Sequence, residues 1–247
     1  SGFKGREYVL QEEIRELLLK DAIEPVNPDT PGFYSMFFLV TKKDGGWRPV
    51  LNLKQPQQVP QVHKIHHGNT RFYHASTTQR ERAATLDLKD AYLNLPILPA
   101  HRPYLRFAFQ GKHYQFKVLL FGISTAPRVF TKVPAPLVEL IHQRGIRFHP
   151  YLDDCLMLAN TPSQLSKNVG NAVSILQDAG FLINWKKSHP EPAQDVQFLG
   201  IRIRLDLGII HLLDNRVQDS IQCAQLFQCP KHFQARVFLR MLGLMAA

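Results

Sequence analysis

Two consecutive aspartates, Asp153 and Asp154, interrupt a stretch, 149–159, that is otherwise mostly apolar. An ionised carboxylate is costly to bury unless a partner compensates its charge. The pattern therefore predicts a buried β-hairpin with the acids at its turn. A third acid, Asp87, lies near the end of another apolar segment, 83–88, which predicts a short strand. These three side chains are the candidates for a polar site inside a packed sheet.

The clustering of these acids indicates metal chemistry. An isolated buried acid commonly pairs with Lys or Arg, but two consecutive acids would both need partners at one turn. If Asp87 lies beside them, three negative charges meet, and hard divalent cations, Mg²⁺ above all, bind such oxygen ligands. Two such ions can activate one oxygen and stabilise another in an in-line phosphoryl displacement. The acids thus predict a site for phosphoryl transfer.

Apolar periodicity predicts the first elements of the chain. Leu10, Ile14, Leu17 and Leu18 fall on one face of a helix. An Asp-Gly sequence between segments 37–42 and 47–53 is typical of a β-hairpin with a basic tip. Residues 55–83 show no apolar period and predict an irregular loop.

The second half of the chain alternates strands and helices less regularly. A helix is expected from 124 towards 141, but Pro134 and Pro136 should kink it or divide it into two pieces. An amphipathic helix over 165–176 should end at Gly180. A strand over 196–205 should turn back at Gly208 into 209–212, before helices at about 214–228 and 231–246. The mixed order favours an α+β fold over a doubly wound sheet.

Composition narrows the class of protein. A net charge of +10 points towards a polyanionic partner. No apolar run reaches 18 residues, so neither a membrane span nor a membrane partner is expected. Three cysteines are too few for a disulfide framework, and no secretory signal is visible, which favours a reducing cytoplasmic or nuclear location. The absent initiator Met and the apolar final stretch predict a fragment of a longer protein.

Six blocks in this chain resemble the motifs of reverse transcriptases, in that family's order. Residues 151–154 read Tyr-Leu-Asp-Asp and match its Tyr-x-Asp-Asp motif. The other five blocks are 39–48, 86–92, 120–127, 180–188 and 198–200. The amino-acid sequences of segments 101–109 and 126–132 look most like those of DIRS-type retrotransposons, which integrate with a tyrosine recombinase.

The resemblance implies a right-hand polymerase with fingers, a ferredoxin-like palm sheet with helices on one face, and the start of a thumb. Fingers would span 1–84, including the irregular loop 55–83, and the palm 85–205, with an interleaved fingers segment at about 100–120. Residues 206–247 would form the primer-grip hairpin and the start of the thumb or connection. The acidic motifs of a ribonuclease H domain are missing from this sequence.

The resemblance also assigns the catalytic roles. Asp87 and Asp153 would hold two Mg²⁺ ions, with Mn²⁺ as a possible substitute, and Asp154 would complete the acidic site. A primer 3′-hydroxyl would attack the α-phosphate of a dNTP, and pyrophosphate would leave. Lys187 is the candidate proton donor to pyrophosphate, although Lys186 beside it leaves that choice open.

Further residues match positions that contact the nucleotide. Arg48, helped by Lys42 or Lys43, would hold the triphosphate. Tyr92 matches the steric gate that excludes a 2′-hydroxyl. Gly122, after Phe121, would let the backbone approach the nucleotide or template. Together with the acids, these residues complete the predicted site.

The implied partners are an RNA template, a DNA primer–template and dNTPs. The arginines that alternate with apolar residues in the strand 201–205 would face the primer backbone. Ribonuclease H and recombinase functions of the parent element would lie on other segments.

Two other functions are compatible with parts of the sequence. Asn52 replaces an Asp usual in the family, and the pattern of 55–83 and the prolines of the palm helix could mark a decayed copy that binds nucleic acid without polymerising. An RNA-dependent RNA polymerase is the second alternative, which Tyr92 argues against.

Overall fold

The computed structural model describes residues 2–41, 47–53, 81–120, 123 and 125–226. The helices are α1 Gly2–Leu19, α2 Ala126–Lys132, α3 Ala135–Gln143, α4 Pro162–Asp178 and α5 Asp214–Leu226. The first strands are β1 Ile23–Pro25, β2 Met36–Thr41, β3 Trp47–Asn52, β4 Arg82–Lys89, β5 Arg106–Phe109 and β6 Lys112–Phe116. The later strands are β7 Arg147–Tyr151, β8 Asp154–Ala159, β9 Leu182–Ile183, β10 His189–Ala193, β11 Asp195–Phe198, β12 Ile201–Arg204 and β13 Ile209–Leu212. Two 3₁₀ turns, Ala91–Asn94 and Pro99–Tyr104, follow β4.

The central sheet holds the two acidic segments. Its antiparallel strands run in the order β10-β4-β8-β7, and β9 pairs with the end of β4. β4 and β8 are buried along most of their length, and α4 packs against both of them. Buried residues of the sheet, of α4 and of α2–α3 form one core. The α+β class and the polymerase-like mixture of helix and sheet are therefore confirmed.

A second core joins the N-terminal segment to residues 105–120. The sheet β1-β6-β5 and the hairpin β2-β3 pack against α1. Ile14 and Leu17 are buried in this core as the helical period predicts, but Leu18 is 38% exposed. Leu18 lies at the edge of the helix face that carries Ile14 and Leu17, and α1 ends at the next residue. The division of the chain into fingers, palm and thumb at 1–84, 85–205 and 206–247 stays a prediction.

The prediction of one strand over 196–205 is wrong. β11 and β12 are separate antiparallel strands, and β13 pairs with β12. Leu199 and Gly200, between β11 and β12, both have positive φ, 51° and 81°, as a two-residue type I′ hairpin turn requires. A Cβ at Gly200 would collide with the Arg216 side chain. The backbone reverses there because Gly200 readily adopts a positive φ. The alternation of apolar residues in the sequence does not indicate such a turn.

The arginines of β12 are paired within this sheet. Arg202 makes a bidentate contact with Asp195, at 2.7 and 2.6 Å. Arg204 makes a bidentate contact with Asp206, at 3.0 and 2.8 Å. Any contact between these guanidinium groups and a phosphate backbone would compete with these ion pairs.

The two prolines of the helix expected from 124 towards 141 occupy permitted positions. The helix is divided into α2 and α3, as predicted, and Pro134 is the N-cap residue of α3. Pro136 lies in the first turn of α3, where the backbone N–H has no partner inside the helix. The prolines therefore break the helix without straining it, which removes them as signs of decay.

Parts of the sequence predictions fall outside the described residues. These are most of the irregular loop, at 54–80, and the helix over 231–246. The loop prediction extends two residues too far, because β4 already begins at Arg82. Among the residues that the structure does describe, no helix is long and apolar enough to cross a membrane.

His149 on β7 makes the stability of the central sheet sensitive to acid. Burial, followed by the nearby charges of His142 and Arg147, lowers the pKa of His149 below its ordinary value. The folded state therefore favours neutral His149. Its contribution to stability is complete above the unfolded pKa of about 6.5 and is lost as pH falls through the lower folded pKa.

We expect the free energy of unfolding in urea to fall between pH 7 and pH 5, and His149→Gln to flatten this decrease. The exposed His101 supplies the control variant, His101→Gln, which removes an imidazole that the fold does not bury. An unchanged pH dependence in His149→Gln would contradict the assignment.

Candidate active site

The strand register places Asp87 and Asp154 side by side. They are direct partners across the antiparallel pair β4–β8, 67 positions apart in sequence (154 − 87). Side chains directly opposite in such a pair share one face of the sheet, with Cβ atoms roughly 4.5–5.5 Å apart. Two like charges therefore face each other at the end of β4.

Asp153 lies in the tight turn between β7 and β8. Leu152 before it has a positive φ of 53°, an unusual conformation for an apolar side chain. The N–H of Leu88 donates to the Asp153 carbonyl oxygen at 2.7 Å. The turn is thereby held against the end of β4, and Asp153 is brought beside Asp87.

Two cavities meet at Asp87. The larger, a cleft of about 430 Å³, is lined by Asp87 and Asp153 together with Trp47 of β3 and the lysines Lys20, Lys89 and Lys187. The smaller, about 250 Å³, is lined by Asp87 and Asp154 with Lys187, His189 and Gly200. Asp87 and Lys187 line both. A carboxylate and a lysine side chain thus lie where the two cavities adjoin.

The position of Lys187 separates it from its neighbour. Lys187 borders both cavities, and its positive charge acts on Asp154. Lys186 is exposed and lines neither. Of the two lysines that the sequence left open, Lys187 is the one beside the acids.

The acids perturb the groups around them. The pKa of Asp154 is raised, first by burial and then by the charge of Asp87, and Lys187 opposes the shift. Burial and the charges of Asp153 and Tyr151 raise the pKa of Tyr92 to about 12. Burial also raises the pKa of the Cys155 thiol, so this cysteine is a core residue and not a nucleophile. Burial and the charges of the acids therefore act in the same direction on these groups, against a further negative charge.

The carboxylates fit a hard divalent cation by their chemistry. Within the described part of the chain, no group of three or more His, Cys, Asp or Glu side chains is already arranged as a metal cage. Asp153 and Asp154 line different cavities, Asp153 the larger and Asp154 the smaller. A cation fits beside Asp154, whose pKa is raised first by burial and then by the charge of Asp87, because a positive ion would favour the ionised carboxylate against both effects.

Ser188 and Asn184 hold the backbone of Asp87. The N–H of Asp87 donates to the Ser188 hydroxyl at 2.9 Å, and the N–H of Asn184 donates to the Asp87 carbonyl oxygen at 2.8 Å. The sequence reasoning gave neither contact. The only signal was that both residues lie in the motif block 180–188.

Lys20 is a second cleft residue that the sequence analysis missed. Its ammonium group contacts Asp90 Oδ2 at 2.9 Å and so joins the end of α1 to the segment after β4. The two residues are 70 positions apart. No periodicity or motif within the sequence could have paired them.

The predicted nucleotide contacts are only partly visible. Tyr92 is 2% exposed and stacks on Phe130, with ring centroids 4.6 Å apart. Arg48 pairs with Val40 through the β2–β3 register. Lys42, Lys43, Phe121 and Gly122 lie outside the described residues.

Known proteins resemble this chain in sequence. Residues 40–203, more than half of the chain, match the model of the family described as "Reverse transcriptase (RNA-dependent DNA polymerase)". The Pro-Pol polyprotein of Simian foamy virus type 1 is 30% identical over 165 residues, which cover 66% of this chain and 14% of the polyprotein. The chain therefore corresponds to a small part of this relative's length.

Solved structures share the fold. The foamy viral protease-reverse transcriptase in complex with dsDNA superposes with a TM-score of 0.77 at 21% identity, over 98% of this chain and 47% of the other. The same viral protein with an RNA/DNA hybrid gives a TM-score of 0.71 at 22% identity, over 98% and 30%. The chain shares the fold of these structures, and the match of residues 40–203 to the family model shows that it belongs to the reverse transcriptase family.

Proposed function

We propose that this chain is the polymerase portion of a retroelement reverse transcriptase, which extends a DNA primer on an RNA or DNA template. The observation that carries the proposal is the position of Asp87, which is paired with Asp154 across β4–β8 and lines, together with Asp153, a cleft of about 430 Å³. Family membership supports the same reaction.

In this proposal Asp87 and Asp153 hold Mg²⁺, which Mn²⁺ could replace, and Asp154 completes the acidic site. When bound, the ions would supply positive charge that offsets the negative charge developing in the reaction. The primer 3′-hydroxyl gives its proton to water and bonds to the α-phosphorus of the dNTP while the bond to pyrophosphate breaks. Lys187, beside both cavities, donates a proton to the departing pyrophosphate.

The remaining assignments concern the nucleotide. Lys42, Lys43 and Arg48 would hold the triphosphate; Trp47, their neighbour in the chain, lines the cleft. Tyr92 would exclude nucleotides that carry a 2′-hydroxyl. For this role its ring, which is buried in the core, would have to border the sugar of the bound nucleotide. Phe121 and Gly122 would lie along the nucleotide or template.

The net charge of the chain and its similarity to solved structures both support polyanionic partners. A net charge of +10 suits an RNA template and a DNA primer–template. The foamy viral proteins of the same fold were solved with dsDNA and with an RNA/DNA hybrid. The amino-acid sequences of segments 101–109 and 126–132 support a DIRS-type element as the source of this chain.

Primer extension tests the proposal directly. We expect the chain to extend a DNA primer on a ribonucleotide template with Mg²⁺, and to incorporate dNTPs in preference to rNTPs. A preference for rNTPs would instead favour an RNA polymerase. Template binding without extension at any Mg²⁺ or Mn²⁺ concentration would favour an inactive binding module.

A further inference from the structure

The connection between β9 and β10, residues 184–188, wraps around the backbone of Asp87. β10 pairs with β4 at Ala83 and Thr85, and β9 pairs with β4 at Leu88 and Lys89. Neither of these two described strands pairs with Asp87 itself. The edge of β4 therefore has a gap between two short partner strands at the position of a predicted metal ligand.

Ser188 fills this gap with its side chain. Its hydroxyl accepts the N–H of Asp87 at 2.9 Å and donates to the carbonyl oxygen of Asn184, also at 2.9 Å. The Ser188 side chain is 6% exposed, so water has little access to replace either bond. The oxygen thus acts as donor and acceptor at once, which a hydroxyl can do and an alkyl group cannot.

The same connection also fixes the lysine beside the acids. The N–H groups of Lys187 and Ser188 both donate to the Asn184 carbonyl oxygen, at 3.0 Å each. The N–H of Asn184 in turn donates to the Asp87 carbonyl oxygen at 2.8 Å. One compact turn therefore holds Lys187 on one side and both backbone groups of Asp87 on the other.

We infer that Ser188 is a positioning residue, which couples the placement of Asp87 to that of Lys187 through its hydroxyl. The inference rests on the proposed polymerase function for its catalytic consequence, but the coupling itself is a property of the fold. A small displacement of an acid in such a site lowers the rate because the reacting groups are no longer aligned.

Ser188→Ala and Ser188→Cys test this coupling. Alanine leaves the buried N–H of Asp87 without its acceptor, whereas cysteine keeps a side chain of similar shape that hydrogen-bonds only weakly. Ser220→Ala is the matched control, since the Ser220 hydroxyl likewise donates to the carbonyl oxygen four residues earlier, that of Arg216, at 2.8 Å, but lies on α5.

Amide hydrogen exchange at Asp87 is the measurement that does not depend on activity. We expect exchange at Asp87 to rise about tenfold to 100-fold in Ser188→Ala, to rise less in Ser188→Cys, and to stay unchanged in Ser220→Ala. Exchange at Ala83, which lies on the same strand, should keep its wild-type rate if the fold is intact.

Kinetics then separate positioning from mere folding. In Ser188→Ala we expect kcat to fall about tenfold or more, KM for dNTP to stay within about twofold, and the half-saturating Mg²⁺ concentration to rise. Ser188→Cys should recover part of kcat. If Ser188→Ala does not fold, the same comparison is made with Ser188→Cys against wild type.

The two proposals fail in different ways. Unchanged Asp87 exchange in Ser188→Ala, or a loss of kcat with no change in Mg²⁺ dependence, overturns the positioning role even in an active polymerase. A wild-type chain that never extends a primer overturns the proposed function, and the exchange experiment still decides whether Ser188 holds Asp87.

Discussion

Asp153→Asn is expected to reduce primer extension by at least about 1,000-fold. The substitution keeps the shape of the side chain but removes the negative charge that would hold a divalent cation at the end of β4. Charge stabilisation by bound metal is worth several kcal/mol in a transition state, and each 1.4 kcal/mol corresponds to about a factor of ten in rate. The rate should be measured as single-nucleotide incorporation at saturating dNTP.

Asp178→Asn provides the control for this substitution. Asp178 is an exposed residue at the end of α4, away from both cavities, so its variant should extend primers at the wild-type rate. Template binding by Asp153→Asn should persist. Mg²⁺ should raise the Tm of the wild type more than that of Asp153→Asn, because an ion that binds only the folded state stabilises it. Near-normal extension by Asp153→Asn would remove Asp153 from the catalytic site.

Phe107→Ala should destabilise the chain by about 3–5 kcal/mol, the usual range for removal of a buried aromatic ring. Phe107 is fully buried and stacks on Phe37, with ring centroids 4.3 Å apart. Its ring also packs against those of Tyr114 and Phe116, with ring centroids 5.4 and 5.6 Å apart. The loss is a large share of the roughly 5–15 kcal/mol that stabilises a typical domain.

Urea unfolding of Phe107→Ala and Tyr104→Ala measures this effect. Tyr104 is an aromatic residue nearby in sequence but 58% exposed, so its truncation should change the free energy of unfolding far less. Equal effects of the two substitutions would show that the ring cluster around Phe107 is not the packed core of this region.

The acids occupy a place where the sheet is locally incomplete. At Asp87 the strand β4 changes partner from β10 to β9, and at Asp153 the hairpin β7–β8 turns. Polar backbone and side-chain groups can therefore reach a cavity although the strands around them are buried. A gap in strand pairing is what allows an acidic site to exist beside an apolar core.

Local patterns predicted most of the elements. The hairpin 149–159 and the division of the expected helix 124–141 into α2 and α3 follow from residues close together in the chain, and both are present. The strand over 196–205 failed because the turn at Leu199 and Gly200 depends on two backbone angles that apolar alternation does not reveal. The predicted burial of Leu18 is wrong because α1 ends just beyond the core that buries Leu17.

The amino-acid order alone was sufficient to indicate a polymerase-like α+β chain and to propose three acids as its chemical centre, because periodicity, turn residues and motif blocks are local properties. Folding decided which groups surround those acids. The pairing of Asp87 with Asp154, the support of Asp87 by Ser188 and the contact of Lys20 with Asp90 each join residues 67 to 101 positions apart (154 − 87, 188 − 87 and 90 − 20). Such contacts arise from strand register and chain reversal, which bring distant backbone groups to one strand end and leave no periodic trace in the sequence.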